Sequence, residues 1–231
     1  MDYLRDPISS ASHLLTALWA AYATLVLLRL AAPGRRLPVA IFGLSMVVLY
    51  LASGTFHGVP FNKFDNPDEF RFFQKVDQSA IYLLIAGTNT PCLAVLLGGR
   101  RAMWFLALMW GLAFTGIACL WLLPKMPHEL SVCLYLGVGW FGGLPIRSYY
   151  RALGWRAMNW MLLGGGLYTL GAAFELAEWP TISPGPIRLG YHEMLHLCDS
   201  AASVAFFVFV SRCVLKYQPK VAEPVRTRLA A

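Results

Sequence analysis

The sequence predicts an all-α integral membrane protein, a seven-transmembrane helix bundle, and three observations carry that prediction. The 231 residues are 58% hydrophobic and only 13% charged, where a soluble domain carries about a quarter charged residues. The apolar residues gather into runs of about 20, the length a helix needs to cross a bilayer. Nearly all the Lys and Arg residues sit in short clusters between those runs. One soluble core of this length has no room for so much apolar surface, so most of it must face lipid or neighbouring membrane helices.

The runs are 12–31, 37–57, 76–98, 102–123, 130–146, 157–177 and 191–214. The stretch MDYLRDPISS before the first is polar, contains Pro7 and does not read as a signal peptide. The longest connection, 58–75, is rich in the turn formers Pro, Asn and Asp. Its FRFF piece is expected to lie at the interface with Phe rings among the headgroups. The run 130–146 is the shortest. In 157–177, Gly164, Gly165 and Gly166 read as a place of close helix packing. The segment 178–190, EWPTISPGPIRLG, reads as a loop. No soluble domain fits, so 1–231 is expected to be one membrane domain whose partners are lipids.

The formal net charge of +7 does not indicate nucleic-acid binding, because cations of membrane proteins collect in cytoplasmic loops. With alternating spans, thirteen of the nineteen Lys and Arg residues fall on one side, five of them in the C-terminal tail. The positive-inside rule then puts the N-terminus outside and the C-terminus in the cytoplasm. The five cysteines (Cys92, Cys119, Cys133, Cys198 and Cys213) form no CxxC pair and read as small buried hydrophobes.

Ionisable groups within a span are costly and mark function. His192 and His196 are four residues apart at the start of the last run, so on a helix both imidazoles share a face. That is the spacing of two ligands of one zinc ion. Ser53 and His57 repeat it at the end of the second run. A third imidazole would complete a catalytic zinc site with one position left for water; by itself, His57 reads as a loop-end histidine. Asp77 opens the third run, where it is either a helix N-cap or a carboxylate that orients a metal-bound water. Alternation of the spans brings the ends carrying His57, Asp77 and His192 to one side of the membrane, which unites them. His13 reads either as a neighbour of the ligands or, preferably, as interfacial, and His128 as a loop residue. Asp199 reads as a support for a ligand imidazole or as paired with something unrelated, and Glu175 and Glu178 as a polar rim.

Three stretches, Ser53-Gly54-Thr55-Phe56-His57, the run from Asp77 to Pro91 (DQSAIYLLIAGTNTP) and His192-Glu193-Met194-Leu195-His196, resemble the signatures of the hemolysin III family, which is grouped with the progestin and adiponectin receptors and, more distantly, the alkaline ceramidases. The order, the spacing and the length of the whole chain fit. The resemblance implies a seven-helix bundle in a bacterial inner membrane, with a zinc ion held by His57, His192 and His196. Asp77 would meet the zinc-bound water with Ser53 close by, and the chemistry would be hydrolysis of a lipid amide of the ceramide kind. Gln78 stands where relatives often have His, Asn89 where Tyr is common, and Asp199 where relatives tend to be apolar. In the adiponectin-receptor branch the zinc faces the cytoplasm, whereas the cation distribution here puts it outside. Other readings are a lipid receptor with a structural zinc, an intramembrane protease whose HExxH base is Glu193, and a pore-forming haemolysin.

Overall fold

The computed structural model describes residues 5–124, 126–182 and 189–218. Lys125, Arg188, Lys220, Arg226 and Arg228, which enter the cation distribution, lie outside the described residues. Eight helices account for most of the rest: α1 (Pro7–Leu30), α2 (Arg36–Gly58), α3 (Pro67–Leu96), α4 (Gly99–Leu122), α5 (His128–Phe141), α6 (Ile146–Leu153), α7 (Trp155–Ala177) and α8 (Tyr191–Phe209). A wider π turn, Val210–Val214, prolongs α8. The loop expected at 178–190 holds a two-residue antiparallel ribbon, Thr181–Ile182 against Leu189–Gly190.

Five of these elements are long and apolar enough to cross a membrane, and a sixth arises if α5 and α6 form one bent span. The chain is an all-α, multi-pass membrane protein. The expected span 130–146 is shorter and broken: α5 has 14 residues, about 21 Å of helix against a hydrocarbon core of about 30 Å. It turns by 45° into α6. The break falls at Gly142-Gly143-Leu144-Pro145, where Pro145 removes a backbone donor. Gly142 also lies so close to Asn89 of α3 that a Cβ there would overlap the amide.

The second difference concerns α3. The sequence assigns 58–75 to a connection, but the helix begins at Pro67 and runs for 30 residues. Proline at the first helical position and the acidic Asp68 and Glu69 in the first turn favour a helix start there. The FRFF piece is therefore helical. Asp77 sits ten residues inside the helix, so the N-cap reading does not hold.

The packed centre belongs to α2, α3 and α8, with Phe42, Met46, Tyr50, Tyr82, Leu93 and Phe209 fully enclosed. Small residues allow the close approach: Gly43 of α2 receives Thr24 of α1, and Gly87 of α3 receives Ser45 of α2. Within the glycine triplet, Gly164 lies against Phe206 of α8, while nothing approaches Gly166. Helix α4 turns Met103, Trp104, Leu108 and Phe114 outward, as suits a lipid-facing surface. At one end, Arg35 ties the short Pro33–Arg35 turn to the last residues of the bundle, donating to the carbonyls of Leu215 (2.7 Å) and Tyr217 (2.5 Å). The start of α1, the ends of α2 and α7, and the starts of α5 and α8 meet at the opposite end.

Candidate metal centre

Three imidazoles converge at that opposite end. His57 comes from the last turn of α2, and His192 and His196 from the first two turns of α8. The Nε2 of His192 is 3.2 Å from that of His57 and 3.2 Å from that of His196. One ligand nitrogen from each residue falls within 4.8 Å of the others. A tetrahedral ion with metal–nitrogen bonds of about 2.0–2.1 Å sets its ligand nitrogens roughly 3.3 Å apart, so the cluster could hold a metal ion.

The proton positions support this. His57 Nδ1 lies 3.0 Å from Asp6 Oδ2, and His192 Nδ1 lies 3.0 Å from Glu175 Oε2. An ionised carboxylate only accepts, so each Nδ1 donates, and in the neutral imidazole the matching Nε2 then presents a lone pair. Two neutral rings would set lone pairs facing one another at 3.2 Å, and a cation among the three nitrogens would remove that repulsion. Neutral imidazoles suit zinc, copper, iron and nickel.

The groups behind the ligands come from elements far away in sequence. The backbone N–H of Asp6 donates to the carbonyl of His57 at 3.0 Å. The hydrogen bond from His57, opposed by partial burial and reinforced by Arg5 at 3.1 Å, holds the Asp6 carboxyl below its ordinary range. Arg5 in turn lies 4.1 Å over the ring of Phe56 and 5.0 Å over that of Phe70. Glu175 of α7 bridges two histidines: its Oε2 meets His192, and its Oε1 lies 3.2 Å from Nε2 of the half-exposed His128. His13, expected at the interface, is 2% exposed; its ring lies parallel to that of His196 at 3.8 Å. Asp6 and His128 carry no sequence signal for this role. The carboxylate contact to His57 spans 51 positions and the one to His192 spans 17.

Ser53, a turn before His57 on α2, is 3% exposed, and α2 packs against α3, the helix that carries Asp77. Asp77 lines the mouth of a cavity of about 290 Å³ together with His128, Glu175 and His192. Further in, the wall is Leu49, Leu84, Ile85, Tyr135, Trp140 and Phe206. Asp199 lines this cavity, and among the described residues its carboxyl makes no hydrogen bond or ion pair with the three clustered imidazoles. Glu193 points elsewhere. Its Oε2 accepts from the Gly190 N–H at 2.7 Å and its Oε1 from the Ser9 hydroxyl at 3.3 Å, so it caps the start of α8. Glu178 ends α7 in a left-handed conformation and is exposed.

Fold and site together define a multi-pass, all-α membrane protein with a three-histidine cluster at one end of its helices. A family model described as Haemolysin-III related matches residues 1–207. The Hemolysin-3 homolog of Bacillus subtilis (strain 168) is 34% identical over 181 residues, 78% of this chain and 77% of that protein. Hemolysin-3 of Bacillus cereus is 34% identical over 178 residues, 77% of this chain and 73% of that one. The chain belongs to the hemolysin III family.

Proposed function

We propose that this chain is a zinc-dependent hydrolase of lipid amides, of the ceramide kind, built as a seven-helix bundle in a bacterial inner membrane. The observation that carries the reading is the opening of an apolar cavity directly beside three converging imidazoles and a carboxylate. The seventh crossing is α7. Its 23 residues reach about 34 Å, and its last turn brings Glu175 to the cluster while the bent α5–α6 pair carries the chain to the far side.

His57, His192 and His196 would hold the zinc. The ion would supply a Lewis acid for the amide carbonyl and lower the pKa of water to about 7. Asp77 accepts the proton of the attacking water and returns it to the leaving amine. Ser53 steadies the Asp77 carboxyl. Asp6 and Glu175 keep the imidazoles of His57 and His192 in the tautomer that offers Nε2. The cavity receives the acyl chain from the bilayer and keeps bulk water from it. Glu193, engaged in capping, is not free to act as the base of an HExxH protease.

The test is metal per chain by elemental mass spectrometry, with lipid-amide turnover measured alongside. One zinc in the parent, its loss in His57→Ala and His192→Ala, and loss of turnover but not of zinc in Asp77→Asn would support the reading. Glu193→Gln should keep turnover. Zinc retained in both histidine variants would overturn the site. Stable zinc with no turnover in any variant would favour a lipid receptor with a structural ion.

A further inference from the structure

Two polar groups in the cavity wall have no hydrogen-bond partner among the described residues. Asp199 lies three residues beyond His196 on α8, about 4.5 Å further along the axis. It sits on the face that carries His192 and lines the cavity. Apart from helix backbone bonds, its one hydrogen bond is at the main-chain carbonyl, which accepts from Tyr50 Oη at 2.8 Å. No described cation pairs with its carboxyl group. Thr88, on α3 across the cavity, is 3% exposed, and its hydroxyl also lacks a partner. The nearby hydroxyls are already engaged with one another: Ser203 Oγ lies 2.6 Å from Tyr50 Oη and 3.0 Å from Tyr168 Oη.

A carboxyl group in an apolar cavity within the membrane is costly unless something bonds to it. A plain hydrocarbon occupant would leave it bare. We propose that the acyl chain taken into this cavity carries a hydroxyl within the first few carbons of its carbonyl, and that Asp199 binds that hydroxyl and selects hydroxylated lipids. The inference rests on the lipid-amide reading of the site. With the carbonyl held beside the imidazoles, the carbons next to it pass Asp199, one helical turn in. A neutral hydroxyl fits better than an ammonium because it leaves and re-enters hydrocarbon at far lower cost. Asp199 is thus a specificity-determining residue that need not touch the scissile bond.

The experiment is equilibrium binding of tetradecanamide, α-hydroxytetradecanamide and β-hydroxytetradecanamide to the zinc-loaded protein in lipid nanodiscs. The parent should bind at least one hydroxylated amide roughly tenfold more tightly than the plain one, the size expected of one buried hydrogen bond. Asp199→Val should erase that preference while keeping zinc content and affinity for plain tetradecanamide. Asp199→Asn, which keeps an acceptor of the same shape, should retain part of it and serves if the valine variant does not fold. Equal affinity of the parent for all three amides overturns the inference and leaves the lipid-amide reading standing. No binding of any amide overturns both. Preferential binding without hydrolysis upholds the selectivity and overturns turnover.

Discussion

Glu175 fixes the plane of one imidazole and collects a second histidine from another helix. Carboxylates in this position raise the basicity of a ligand imidazole, and their loss costs tenfold to a hundredfold in metal affinity. Glu175→Gln should therefore weaken zinc binding by about that factor in competition with a chromophoric chelator, while His128→Ala, at the exposed end of the chain, should change it far less. Equal affinities in parent and Glu175→Gln would show that the contact has no orienting part. The clustering of the three histidines was legible because His192 and His196 stand one turn apart and His57 ends a run that alternation returns to the same side. Asp6 and Glu175 were not, because nothing local distinguishes a carboxylate that meets a histidine 51 residues away from one that caps a helix. Of the two readings open for His13, the interfacial one fails for a similar reason: a histidine near the start of a run looks wet until α8 is laid across it.

Among the elements, the spans α1, α2, α4 and α8 could be read from hydropathy alone, since long apolar helices in lipid leave few alternatives. Two elements defeated that reading. The start of α3 is polar yet helical, because Pro67 and its acidic first turn set the start ahead of the apolar run. Helix α5 is apolar yet short, because glycine and proline interrupt it against Asn89. Packing tests the elements separately. A Cβ on Gly164 would lie 2.6 Å from the Phe206 ring, whereas Gly166, on the same helix, has nothing within 4 Å. Gly164→Val should lower stability by about 1–3 kcal/mol, as overpacking does. Gly166→Ala should leave it level or raise it, since alanine is the better helix former. Both are read from the thermal midpoint in detergent; equal effects would mean that α7 and α8 do not meet through this glycine.

For the molecule as a whole, orientation in the membrane decides which side the site faces. The cation distribution places the start of α1, the 59–66 connection and the three histidines outside. A cysteine introduced at Asn62 should then react with a membrane-impermeant maleimide in intact cells, and one at Gly34 should react only after lysis, both in a background without the five native cysteines. The reverse pattern would turn the site towards the cytoplasm.

His57 and His192 are 135 residues apart, and that separation has a meaning in time. The ribosome completes the first of them with α2 and the second only with α8. A chain that lacks α8 cannot assemble the cluster, so an ion held there would report that α8 is in place. Closing so long a loop is also where a clasp gains most over the free chain. A metal on these three nitrogens would act as a clasp between α2 and α8, two helices far apart in the chain.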